Sequence, residues 1–237
     1  MNKGIYIALS GALLKQNQLE TITQNVANAN TTGFKRSGIS FKDYLIPQDE
    51  PGPGPDGRVM SQLSAITTDF TSGTQVRTGN PLDVAIEGKG FIALDEGYYT
   101  RRGDMHPDKD GNLLAQNGRK VLGAGGPVRL PIDGTTIAID ANGKIEVDGI
   151  EIDTIRVEEF PDDAALTKIG EGMYTSPAPG TPSTGTIMQG YLETSNVNAV
   201  TEMVRMIDAL REFESYQKII TTFDDTVSKV TNDLGRL

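Results

Sequence analysis

Chemistry needs nucleophiles, bases or ligand clusters at workable spacing, and this sequence offers few. His106 is the only histidine. As a general base it would need a serine on a nucleophile elbow, and no G-x-S-x-G is present. It precedes Pro107 beside an expected turn, the setting of a surface histidine. "DKDGN" (Asp108, Asp110, Asn112) opens like a calcium loop, but its glycine falls at the fourth position instead of the sixth. Position twelve is Arg119, where a bidentate glutamate is required, so the stretch reads as a hairpin turn. "GKG" and "GAGG" lack the flanks of a phosphate loop or dinucleotide fingerprint. Glu158–Glu159 and Asp162–Asp163 are adjacent pairs. Strand neighbours point to opposite faces, which suits a solvated surface better than an acid/base pair. There is no cysteine, so disulfides, thiolate metal sites and a cysteine nucleophile are excluded. No constellation for catalysis, metal binding or cofactor binding survives among these residues.

With no chemistry to position, the elements themselves carry the information. The 237 residues suffice for one large domain or two small ones. Apolar residues make up 37%, and 27 glycines without a tryptophan favour a turn-rich β region over a large helical core. Net charge is −10, unevenly spread. Residues 1–42 carry five bases against one acid, and residues 201–237 carry seven acids against five bases, leaving −12 for the middle. A basic start and an acidic middle suit attraction between neighbouring copies; an acidic solvated surface is the plainer reading. No basic patch is dense enough for nucleic acid. The start lacks the continuous apolar run of a signal peptide, and no window approaches the roughly 18 apolar residues of a membrane span. Ordinary criteria would place such a chain in the cytoplasm.

Residues 4–27 have helical spacing. Ile5, Leu9, Ala12, Gln16, Leu19, Thr23 and Val26 alternate steps of four and three, an a/d-like seam with two polar members. Near the other end, Ser195, Asn196 or Asn198 can cap a helix start. Met203, Met206, Leu210, Phe213, Gln217 and Ile220 form a second seam, and Phe223, Val227, Val230, Leu234 and Leu237 continue it after a one-step drift. No proline or glycine interrupts this run before Gly235, which predicts a helix of about 35 residues, typical of a coiled coil. The methionines read as seam residues, not ligands. Between the helices, "IPQDEPGPGPDG" (46–57) is a turn-rich loop, Pro81 to Tyr174 reads as short strands, and "TSPAPGTPSTGT" (175–186) is another loop. Asn142-Gly143 is the strongest hairpin signal. Two long apolar seams mark interaction surfaces, for each other or for helices of other copies.

Three stretches then point to a family. "GIYIALSGALLKQNQLETITQNVANANTTGFKRS" resembles the N-terminal signature of bacterial flagellar rod and hook proteins. "GNPLDVAIEGKGFI" followed by "YYTRRGDM" resembles their central motif, and "GYLETSNVNAVTEMVRMIDALREFESYQK" their C-terminal one. Together these cover nearly the whole chain in the family's order. Within the family, the length and "VLGAGGPVRLP" look most like a proximal-rod protein; distal-rod members are similar at both ends but usually longer, and the hook protein is much larger.

The resemblance implies an α+β fold: an inner helix (1–30), a linker region (31–75), a mainly antiparallel β outer domain (76–186), a return linker (187–198) and a C-terminal inner helix (199–237), the helices pairing as a coiled coil in a tube. It implies a structural subunit with no cofactor, polymerising with copies of itself and other rod proteins into the torque-transmitting shaft and the wall of its export channel. It also implies export through the flagellar type III apparatus without signal-peptide cleavage, to a rod that crosses the periplasm. In that setting "NVANANTTGF" is where the helix ends and the chain turns outward. Asn28 and Asn30 tolerate left-handed backbone, Phe34 anchors the turned chain, and Lys35 and Arg36 would face acidic neighbours. With the seam residues, these asparagines and Phe34 form the expected assembly interface. An ordinary helix cap and loop is the plain alternative for the turn. For the whole chain it is a β-domain ligand-binding module or enzyme that dimerises through its terminal helices.

Overall fold

The computed structural model describes residues 2–45, 59–161 and 166–234. The chain divides into two compact units, one of Met1–Ala27, Ser37–Thr67 and Asn198–Leu237, the other of Asn28–Arg36 and Thr68–Val197. The Pro/Gly loop at 46–57, Asp162–Asp163, Gly235 and Leu237 fall outside the described residues.

The first unit is built on two helices, α1 (Asn2–Ala27) and α2 (Ala199–Leu234). Asn198 caps α2: its side-chain oxygen accepts the Thr201 N–H at 3.0 Å, and its carbonyl accepts the Glu202 N–H at 3.0 Å. Glu202 in the first turn complements the helix dipole. With these helices goes a two-stranded ribbon, Ser37–Leu45 paired with Val59–Thr68. The buried Asn25 side chain fastens the ribbon to α1. It donates to the Ser37 carbonyl at 2.8 Å and accepts the Ser37 N–H at 2.9 Å, as a strand neighbour would.

The second unit is antiparallel β. Its largest sheet has six strands in the order Thr167–Gly170, Met173–Thr175, Tyr98–Thr100, Phe91–Ala93, Val157–Glu159, Thr181–Pro182. A meander of Ile137–Ile139, Lys144–Val147 and Ile150–Thr154 lies beside four two-stranded pairs. Strand Phe91–Ala93 is covered on both faces. Phe91 and Ala93 join an aromatic cluster with Tyr99, Phe160 and Tyr174, while Ile92 joins the aliphatic core of Val84, Leu94, Leu113 and Val121. Asn142-Gly143 makes the expected hairpin turn, with Gly143 at φ +86° and Asp140 accepting the Asn142 and Lys144 N–H groups. "DKDGN" is likewise a hairpin turn: Asp108 accepts the Asp110 and Asn112 N–H groups, and Met105–Pro107 pairs with Leu113–Ala115. His106 is exposed.

Three expectations are corrected. Strand structure runs past Tyr174: Thr186–Gln189 pairs with Val84–Glu87, and Tyr191–Glu193 pairs with Gln75–Arg77. The spans read as loop and return linker therefore close the β unit, because residues far apart in sequence supply their partner strands. Glu158 is not solvated but buried, paired with Arg156 and accepting the Gly180 N–H at 3.1 Å. The α2 cap is Asn198 alone, since the Asn196 side chain is engaged with Arg36, Asp69 and Thr71.

Candidate assembly interface

α1 and α2 run antiparallel in one register. Gly4 lies against Phe223, Gly11 against Tyr216, Lys15 pairs with Glu212, and Asn25 bonds Glu202 at 3.3 Å. Every step along α1 between these pairs is matched by a comparable step back along α2. A Cβ added to Gly11 would stand 2.5 Å from the Tyr216 ring, so the glycine is a notch that seats it. Glycine inside a helix costs about 1 kcal/mol relative to alanine, and close approach of the ring is the compensation.

This register rotates both helices from the face that apolar spacing alone suggests. α1 turns Gly4, Gly11, Lys15 and Asn25 to its partner, while Leu9, Gln16 and Thr23 are exposed. Ala12 is buried; Ile5, Leu19 and Val26 are half-buried. On α2, Glu202 and Ala209 are buried, and Met206, Phe213, Tyr216 and Ile220 are half-buried. Met203 and Leu210 are exposed, as are Phe223 and Val227 at their rims. Val230 and Leu234 lie in α2, with side chains outside the described residues. Three groups of apolar side chains thus stand open to solvent: Tyr6, Leu9 and Leu13 on α1, Val200, Met203, Val204, Ile207 and Leu210 at the start of α2, and Ile219, Phe223 and Val227 further along α2, beside the face that meets α1.

The turn after α1 belongs to the β unit. The Thr31 N–H reaches the Asn28 carbonyl at 3.1 Å, and the Thr31 hydroxyl reaches the Asn28 side chain at 3.1 Å. Asn28 is half-buried and Asn30 exposed. Gly33, at φ +63°, comes so close to Arg101 that a Cβ would sit 2.6 Å from its backbone. Phe34 is buried within the chain, with the Lys168 ammonium 3.6 Å from its ring centre.

Lys35 corrects the expected contact with acidic neighbours. It is 1% exposed and paired inside its own chain with Glu193 at 2.6 Å; its amine also donates to the Thr71 carbonyl at 2.9 Å. Glu193 is equally enclosed: it accepts the Gly73 N–H at 2.8 Å, and Arg101 Nε lies 3.0 Å from its second oxygen. The Arg101 guanidinium also donates to the carbonyls of Gly88 and Gly90. Burial pulls the Lys35 pKa below the usual lysine range, against the pull of Glu193. Around this hub the Asn196 side chain accepts the Arg36 N–H at 2.7 Å and donates to the carbonyls of Asp69 and Thr71. Residues 35–36, 69–73 and 193–196, which adjoin three of the four points where the chain enters or leaves the β unit, are tied into this network. Glu193 and Arg101 were not singled out in the sequence, and Asn196 was read only as a candidate cap for α2. Asn25 lies off the apolar seam, one residue before Val26, so periodicity gave no sign of its buried role.

Comparison with known proteins follows the same three stretches. Residues 5–35 match the family described as Flagella basal body rod protein. Residues 85–147 match the Flagellar hook protein FlgE/F/G D1 domain, and residues 188–234 match Flagellar basal body rod FlgEFG protein C-terminal. Among curated relatives, the flagellar basal-body rod protein FlgG of Bacillus subtilis is 33% identical, covering 98% of this chain and 99% of its own. FlgF of Mesorhizobium japonicum is 31% identical over 99% of both chains, and FlgF of Caulobacter vibrioides is 29% identical over the full length of both.

Proposed function

The chain belongs to the family of flagellar basal-body rod proteins, and from that premise we propose that it is a proximal-rod subunit that polymerises through the outer faces of its helix pair. It is a structural subunit of the bacterial flagellar basal body, assembling with other rod subunits, and its work is mechanical. Torque passed along a rod demands stiff contacts between subunits. The exposed apolar residues of α1 and α2, already aligned by a fixed register, are the observation that carries this reading. Each Leu- or Ile-sized side chain covered by a neighbour contributes about 1.5–3 kcal/mol. The inner walls of such a tube would line the export channel.

Length supports the proximal over the distal position. Alignment with Bacillus subtilis FlgG needs 262 positions, and alignment with Mesorhizobium japonicum FlgF needs 244, against 237 residues here. Identities of 33% and 31% do not separate the two. Export through the type III apparatus as an unfolded chain, to a rod crossing the periplasm, agrees with the absence of cysteine and with the apolar residues left exposed on both helices. No helix among the described residues is long and apolar enough to cross a membrane.

Leu9 and Leu210 are 44% and 42% exposed, so a charge there should leave the subunit folded. Leu9→Asp and Leu210→Asp are expected to change the stability of the isolated chain by under about 0.5 kcal/mol and to abolish rods and motility in a complemented strain. Electron microscopy of basal bodies beside circular-dichroism melts reads both. Normal rods built from either variant would sink the proposal.

A further inference from the structure

Resting on the rod-subunit reading, we propose that copies of this chain join head to tail, the apolar patch of α1 in one copy seating on the different apolar patch of α2 in the next. The two patches are unlike in position as well as in residues. Tyr6, Leu9 and Leu13 occupy the first half of α1; past Leu13 the same face turns to exposed Gln16, Asn17 and Glu20. Val200, Met203, Val204, Ile207 and Leu210 occupy the first third of α2; past Leu210 that face turns to exposed Glu214, Lys218 and Asp225.

Because the helices are antiparallel, two beginnings mean two opposite ends. The pairs Gly4–Phe223 and Gly11–Tyr216 set Leu9 level with Lys218 of α2, whereas the α2 patch centres near Arg205. At 1.5 Å per residue the patches are about 20 Å apart along the pair. They also face opposite ways. Residues two apart on a helix point roughly 200° apart. Leu9 and Leu13 therefore point away from Gly11, which seats Tyr216, and Val200 and Val204 point away from Glu202, which bonds Asn25. Each patch lies on the outer side of its helix, away from the partner helix.

This placement decides the symmetry. A two-fold dimer that joined both unlike patches at once would need them on one face of the pair. On opposite faces, the contact between them leaves one patch of each kind free at the ends, and growth continues as an open chain. Charge favours the same pairing. α1 carries two bases and one acid, with Lys15 already paired to Glu212 of its own chain, while α2 carries seven acids and four bases, so two copies of α2 meeting repel and α1 of one copy meeting α2 of another does not. If neighbours are parallel, each is displaced along the helix axis by about 20 Å, the separation of the patches.

The cysteine-free chain allows a direct test. Leu9→Cys and Ile207→Cys are introduced separately and together, basal bodies are isolated, and a short bis-maleimide links neighbouring thiols. The double variant should give a ladder of multiples of the chain mass, two co-expressed single variants a dimer only, and each single variant alone no product. Self-linking of either single variant, product with a protein of another mass, or an unlinked double variant in intact rods would overturn the contact. Should the cysteine chains fail to enter rods, Leu9→Lys and Ile207→Glu decide it: each alone should block rods, and both in one chain should restore them. A double variant as defective as either single one overturns the contact. Rods lost with Leu210→Asp but wrong linkage here would remove only the head-to-tail contact. Normal rods with Leu210→Asp would remove the rod-subunit reading beneath it.

Discussion

In the β unit, strand Phe91–Ala93 is covered on both faces and two cations share one carboxylate in the interior; in the helix pair, Leu9, Leu13 and Ile207 stand open to solvent. The same alphabet is used for two ends. The β unit encloses its two apolar clusters within one copy and leaves only scattered apolar side chains such as Ile132 and Ile150 at its surface. The helix pair gives one face to register and keeps an apolar patch at the start of each helix on the other. A soluble monomer gains nothing from that second face, whereas an assembling subunit gains most of its contact energy there. The difference also redistributes charge. Lys15 and Lys35, two of the bases that make the start of the sequence positive, are already paired with Glu212 and Glu193 inside the chain. Attraction between copies therefore rests more on apolar contact than the bare charge pattern suggests.

The largest effect should come from the hub of the β unit. Glu193→Ala leaves Lys35 and Arg101 buried without their shared carboxylate and the Gly73 N–H without an acceptor. Breaking a buried pair from one side destabilises by about 3–5 kcal/mol. Urea unfolding followed by tyrosine fluorescence should show that loss for Glu193→Ala, and an unchanged midpoint would mean the hub is decorative. On the helix side the comparable position is a notch. Gly11→Leu forces Tyr216 from its seat, and overpacking of that kind costs about 1–3 kcal/mol, less about 1 kcal/mol gained from helix propensity. The melt at 222 nm should drop while the β unit keeps its urea midpoint. Gly4→Ala is the control, because its methyl meets only the ring edge of the exposed Phe223, at 3.1 Å, and that ring can swing outward. Loss of both transitions together in Gly11→Leu would break the contrast between the units.

Much of the architecture was legible because periodicity records it. The α2 span, the Asn142-Gly143 hairpin and the short-strand middle follow from apolar spacing and turn chemistry. The face by which α1 meets α2 was not. That face is made by Gly4 and Gly11, which have no side chain to count, and by Lys15 and Asn25, which a hydrophobic pattern assigns to solvent. The Lys35–Glu193–Arg101 hub was hidden for another reason: its members lie far apart in sequence, and nothing local marks an ion pair that only tertiary structure encloses. The exposed residues Leu9, Met203 and Leu210 appeared in the sequence as seam residues, and the structure shows them uncovered.

The smallest effect sharpens the comparison from the β side. Lys168 lies over the Phe34 ring and donates to the Lys35 carbonyl at 2.8 Å, holding the turn that follows α1. Ring and carbonyl favour its charged form, yet burial pulls its pKa down from 10.5 to about 8. Between those values the unfolded chain binds a proton that the folded chain has released, so stability rises as pH goes from about 8 toward 10.5. Lys35, also lowered by burial, acts in the same direction. Tyr174, raised by burial, binds its proton more tightly when folded and opposes the rise above about pH 10. The clean window is therefore pH 7 to 9. There the urea midpoint of the β unit should rise by on the order of a few tenths of a molar, reduced by the partial exposure of the amine, and Lys168→Met should flatten the response. A midpoint that stays level in the native chain would mean that the Phe34 ring and the Lys35 carbonyl keep the amine charged. The turn would then be fixed by a permanent cation, and pH would leave both units of the rod subunit alone.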